Sequence, residues 1–270
     1  MRSFFTLLLA ICCVVMLILG NSYWQKKTSA FNHPVSAKNE PTKHSEIKTN
    51  ENETNTIEET SRNELISFTK NWPTQASKQF NKKLIAHEPF KFLIVGSKAI
   101  GTSSNGWAHL LKTQLNAVYG KDNINININP FDTTSTEFIN YEKQKDLVDQ
   151  KADLVLFEPF TLNDNGFIPT KNSLANISKF MGEYKKENPE TTFILLPPHP
   201  IYNAKFYPKQ VADLADFAER KQVTFIDHWS AWPSPKSANI KNYLLPDQSA
   251  PNEKGAEIIN EYLSEYFISK

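Results

Sequence analysis

"FKFLIVGSKAIG", residues 90–101, decides the fold. From Phe90 to Val95 the run is apolar except for Lys91. That suits a short strand buried on both faces of a parallel sheet, whereas a half-exposed strand would alternate. Gly96 and Ser97 close the run, and Gly101 follows four residues later. "GWAHLLKTQLNAVYG" (106–120) then shows helical spacing and stops on a glycine. A buried strand that turns directly into an amphipathic helix opens a βαβ unit.

Downstream the alternation repeats. "NINININ" (123–129) has the period of two expected of a strand with one exposed face, and "STEFINYEKQKDLVDQK" (135–151) reads as one helix. "ADLVLFEP" (152–159) is a strand, and "SLANISKFMGEYKKENP" (173–189) is a helix that ends before proline. "TTFILLPP" (191–198), "KQVADLADFAERK" (209–221), "VTFID" (223–227) and "EKGAEIINEYLSEYFISK" (253–270) continue as strand, helix, strand and helix. Upstream, "EETSRNELISFTKNW" (58–72) and "TQASKQFNKKLIAH" (74–87) read as two helices separated by Pro73. Five strands alternating with helices predict a flavodoxin-like three-layer α/β/α domain over 59–270. Its five-stranded parallel sheet would be covered on both faces, with right-handed crossovers, and the flavodoxin-like strand order is 2-1-3-4-5.

The first 58 residues differ. "FFTLLLAICCVVMLILG" (4–20) is apolar and uncharged, with Tyr23 and Trp24 after it. With those flanks it approaches the roughly 20 residues of a bilayer-spanning helix. Residues 1–24 are therefore expected to be a transmembrane anchor, with a cleaved signal peptide as the competing reading. The polar segment 25–58 is expected to be a disordered spacer. This organisation predicts a single-pass protein of the cell membrane whose globular domain lies outside the cytoplasm. Arg2 on one side and Lys26 and Lys27 on the other leave the charge rule for orientation nearly balanced. Both cysteines, Cys12 and Cys13, fall in the apolar stretch, so the domain has no disulfide framework. A net charge of +1 gives no electrostatic reason for a nucleic-acid partner. No glycine-rich phosphate loop follows the first strand, and no His/Cys/Asp/Glu spacing suggests a metal site. No cofactor is expected.

In an open parallel sheet the functional site lies outside the carboxyl ends of the strands. Ser97 occupies that place after strand one, where it can act as a nucleophile or cap a helix. Asn163 and Asp164 follow strand three in "EPFTLNDNG" (158–166), where an amide can donate to an oxyanion and the segment can equally be a turn. The segment "DQSAPN" (247–252) precedes the last helix.

In this order, these segments resemble the SGNH (GDSL-type) esterase and lipase family over residues 90–270. The family's first block is Gly-Asp-Ser-x-x-x-Gly; Val95, Gly96, Ser97 and Gly101 stand at those positions. Its third block is Gly-x-Asn-Asp; Thr161 takes the first place, and Asn163 and Asp164 match. Its fifth is Asp-x-x-His-Pro-Asn, matched by Asp247, Pro251 and Asn252, with Ala250 where the family has its catalytic histidine. "NPFDTTSTEF" (129–138) stands in place of the second block and lacks that block's glycine, which donates to the oxyanion. The resemblance implies Ser97 as nucleophile, Asn163 as oxyanion donor and Asp247 as the group that orients a base.

The base itself is missing from its place. His199 ("LLPPHPIY") and His228 ("IDHWSAWP") follow strands four and five on the same edge. Counting strand places from strand one puts them about 10 Å and 14 Å away before loops reach inward. Glu158, directly after strand three, is a further candidate, against the ordinary reading of a surface or hydrogen-bonded glutamate. The segment "HWSAWPSPKSANIKNYL" (228–244) reads either as a sugar-stacking surface or as aromatic packing. Two functions follow. One is a serine esterase or acyl transferase acting on cell-surface glycan or lipid esters. The other is a catalytically inactive domain that binds a surface polysaccharide or a partner protein.

Overall fold

The computed structural model describes residues 51–269, with side chains from residue 59 onward. The apolar stretch 4–20 lies outside the described residues. Among those described, no helix is long and apolar enough to cross a membrane. Helix α1 (Glu51–Ser67) begins within the segment read as a spacer, and α2 (Thr74–Ile85) follows after Pro73.

The sheet has five strands: β1 (Phe90–Ser97), β2 (Ile124–Phe131), β3 (Leu154–Phe157), β4 (Thr192–Leu195) and β5 (Thr224–Phe225). All neighbours pair in parallel, in the order β2-β1-β3-β4-β5. This is the predicted order. β2 is an edge strand, which is why its ladder runs on through Pro130 with no N–H to donate.

Alternation along each central strand feeds two cores. Phe92 and Ile94 of β1, with Leu154 and Leu156 of β3, face one way. There they pack with α3 (Gly106–Tyr119), α2 and the last helix, α9 (Glu253–Phe267). Leu93 and Val95, with Val155 and Phe157, face the other way, toward α7 (Thr170–Glu187) and α8 (Tyr207–Arg220). Burying each such side chain contributes about 1.5–3 kcal/mol, so residues apolar on both faces hold the centre of the sheet.

The stretch 135–151 departs from its expected single helix. It forms α4 (Ser135–Asn140) and α5 (Lys145–Val148). Between them Glu142 adopts φ 55°, a left-handed conformation that no continuous helix admits. Asn163 and Asp164 likewise sit in a helical turn, α6 (Thr161–Asp164), rather than in an open loop.

Candidate active site

β1 delivers Ser97 to the carboxyl edge of the sheet. Its Cα pairs with Phe131 of β2, while Val95 pairs with Phe157 of β3. The next residue, Glu158, extends that ladder by donating its N–H to the Val95 carbonyl at 2.8 Å. Glu158 thereby stands beside the end of β1. Gly96 makes the approach possible: a Cβ there would lie 2.9 Å from Glu158 Cβ and 2.6 Å from Ile100 Cγ2.

Ser97 Oγ donates to Glu158 Oε1 at 2.7 Å, and the Ser97 N–H points at the same oxygen at 3.3 Å. The hydroxyl also accepts from the Ala99 N–H at 3.2 Å, so Ser97 caps the short helical turn Lys98–Ile100 as well. Both side chains are buried: Ser97 is 2% exposed and Glu158 1%. Burial pushes the Glu158 carboxyl up to about 8, and its hydrogen bonds from Ser97 offset this only in part.

Ser97 forms part of the wall of a cavity of about 700 Å³. Asn163 and Asp247 line the same cavity, so three of the residues matched by the family's blocks meet there from three different segments. Asn163 Nδ2 donates one hydrogen to the Thr133 carbonyl at 2.8 Å, which leaves its second N–H uncommitted to that bond. Asp164 turns away into the protein, where its Oδ1 accepts from the Ser135 N–H at 2.8 Å and anchors the start of α4. Asp247 is exposed, and its Oδ1 accepts from the backbone N–H (3.0 Å) and hydroxyl (2.8 Å) of Ser249. Those bonds hold its carboxyl below the usual range and spend it on its own turn.

The two histidines are engaged elsewhere. His228 Nε2 meets the Pro197 carbonyl at 2.8 Å, and its Nδ1 accepts from Trp232 Nε1 at 3.1 Å. One tautomer satisfies both contacts, with the proton on Nε2. His199 Nε2 meets the Gln248 carbonyl at 3.0 Å, while its Nδ1 is buried without a partner. Burial lowers both rings to about 4, so both are neutral near pH 7. Neither lines the cavity with Ser97; Glu158 does not line it either, and lies behind the serine whose hydroxyl it accepts from. Their common task is to hold backbone. The "PPHP" segment has few N–H groups, and its carbonyls are tied down by His228, by Trp229 (Nε1 to Pro198, 2.8 Å) and by Tyr207 (to His199, 3.0 Å). Trp232 is 7% exposed, and both tryptophans donate their N–H groups inward, so this segment packs rather than presenting a sugar-stacking face.

Glu158, which the sequence offers as a surface or hydrogen-bonded glutamate ahead of a base, is hydrogen-bonded, and its partner is Ser97. The signal for this contact was present: an acid directly after the buried run "LVLF", at the strand edge where β3 adjoins β1.

No protein-family model matches the sequence, and no curated protein matches it. Solved structures do share its fold. The acetylxylan esterase of Geobacillus stearothermophilus superposes with a TM-score of 0.54 at 17% identity, covering 67% of this chain and 94% of the esterase. A protein described as a GDSL-like lipase from Parabacteroides merdae gives 0.56 at 11% identity, covering 67% and 96%. An alpha/beta hydrolase enzyme from the metagenome of Lake Arreo, Spain, gives 0.55 at 15% identity, covering 67% and 95%. The α/β domain thus has the fold of the GDSL-type esterases.

Proposed function

We propose that the chain is an SGNH-type serine ester hydrolase or acyl transferase. The observation that carries this reading is the convergence of Ser97, Asn163 and Asp247 on one cavity at the carboxyl edge of the sheet. In this reading Ser97 Oγ attacks the ester carbonyl, and the free N–H of Asn163 receives the developing oxyanion. Asp247 keeps the 247–249 turn in shape at the cavity rim.

The lining suggests how an ester would lie. Leu162, Phe167 and Ile201 offer an apolar side for the acyl group, and Phe167 is 81% exposed at the rim. Lys98, Asp132, Gln248 and Ser249 offer donors and acceptors for a hydroxyl-rich alcohol. An acylated glycan or lipid headgroup has that chemistry. A membrane anchor at 4–20 would place such a substrate within reach at the cell surface. The acetylxylan esterase among the structural neighbours supports the reading by analogy of fold.

The test is hydrolysis of p-nitrophenyl acetate and butyrate by the purified chain beside Ser97→Ala. Turnover that disappears in Ser97→Ala supports the proposal; equal rates for the two proteins end it. Ala250 and the deep burial of Ser97 favour a second reading, in which the cavity binds a surface polysaccharide or partner without chemistry. That reading expects glycan or partner binding unaffected by Ser97→Ala and no turnover.

A further inference from the structure

We infer that Glu158 is the general base of this site, taking the place of the histidine that Ala250 replaces. The inference rests on the serine-hydrolase reading above and deepens it.

A general base must lie within about 2.6–3.2 Å of the proton that it removes. Glu158 Oε1 lies 2.7 Å from Ser97 Oγ, inside that range. No other carboxylate and no imidazole is hydrogen-bonded to that hydroxyl among the described residues. Both histidines on this edge point their Nε2 groups at backbone carbonyls instead. The fold maintains the contact from both sides: the Glu158 N–H extends the β1–β3 ladder, and Gly96 leaves room for its Cβ. A carboxylate in water is a poor base toward an alcohol. Burial without a paired cation makes this one stronger, since none of the ion pairs among the described residues includes Glu158. Tyr207, from α8, senses its charge; burial, and then Glu158, drive that phenol well above its usual range, so it stays neutral.

The steps balance. As Ser97 Oγ bonds to the ester carbon, its proton passes to Glu158 and the carbonyl electron pair moves onto oxygen. When the carbonyl re-forms, the bond to the alcohol oxygen breaks, and that oxygen takes the proton from Glu158. Water then adds to the acyl-serine, giving a proton to Glu158. The bond to Ser97 Oγ breaks, the acid leaves, and Ser97 recovers the proton.

The experiment reads Ser97 nucleophilicity without needing the natural substrate. The purified full chain is treated with phenylmethylsulfonyl fluoride from pH 6 to 10, and modification of Ser97 is followed by mass spectrometry. Wild type, Glu158→Gln, Glu158→Asp and His199→Gln are compared. The expected result is a wild-type rate that rises with pH through about 8. In Glu158→Gln the rate should fall roughly 100-fold or more and lose that rise, with Glu158→Asp intermediate and His199→Gln keeping the profile. The amide of Glu158→Gln can still accept both bonds from Ser97, so the variant should fold. If it does not, the wild-type profile alone decides: a flat profile, or an inflection at the pH of an ordinary histidine, overturns the inference. A Glu158→Gln rate equal to wild type, with loss in His199→Gln, overturns it too but leaves a serine hydrolase. No modification of Ser97 at any pH overturns both.

Discussion

Ser97 Oγ and Glu158 Oε1 are 2.7 Å apart, and the two residues are joined a second time through the Ser97 N–H, at 3.3 Å. A buried carboxyl thus takes two hydrogen bonds from one serine that lines a cavity of about 700 Å³.

Stability should depend on pH with a recognisable shape. Glu158 has its folded pKa raised from 4.5 to about 8, so the folded state holds a proton that the unfolded state has lost between those values. Its contribution is full below about 4.5 and is lost as pH rises through 8, at up to about 1.4 kcal/mol per pH unit. His199 and His228 act oppositely: their folded values fall from 6.5 to about 4, so their contribution is present above 6.5 and lost as pH falls toward 4. Urea unfolding across pH 4–9 should therefore show greatest stability near pH 6.5. Glu158→Gln should abolish the decline between 6.5 and 8; a decline that persists in that variant would assign it to another group.

His228→Ala should destabilise by roughly 2–4 kcal/mol, because it strands the buried Pro197 carbonyl and the Trp232 N–H together. The rate of Ser97 modification in the folded variant should stay within about twofold of wild type. A large loss of that rate at unchanged stability would give His228 a catalytic role instead.

Gly96→Ala should cost roughly 1–3 kcal/mol, since its Cβ would overlap Ile100 and Glu158. The same clash should move Glu158 off Ser97, so reactivity should fall along with the urea midpoint. Retention of both would mean that the end of β1 yields more easily than its packing indicates.

Asn163→Ala removes the proposed oxyanion donor and the bond to the Thr133 carbonyl. On p-nitrophenyl acetate the expected outcome is a kcat lower by about 100- to 1000-fold, with KM changed little. A change confined to KM would make Asn163 a binding group only.

The layers of the domain were legible because they depend on local pattern. Runs such as "FLIV", "LVLF" and "FILL" are short and apolar at every position, as suits a strand covered on both faces. Pro73 separates the first two helices, as expected. The reading of 135–151 as one helix failed because its apolar spacing does not reveal the left-handed Glu142 that divides it. Order and flanking residues single out Ser97, Asn163 and Asp247, and these three line one cavity. Each still admitted a plain structural reading, and the structure shows Ser97 capping a turn and Asp247 bracing one.

By itself, then, the sequence determined the five-stranded parallel architecture and the edge at which a site would form, since hydrophobic periodicity and strand-end positions are properties of contiguous residues. Tertiary structure alone decided which group touches the serine. His199 and His228 lie on the expected edge, but carbonyls of a neighbouring turn and of a proline-rich segment poor in N–H groups engage their Nε2 atoms. Glu158 reaches Ser97 because strand register sets Phe157 beside Val95 and because Gly96 lacks a side chain. Register and close approach arise between segments that are 61 residues apart in the chain, so neither segment read alone names the contact.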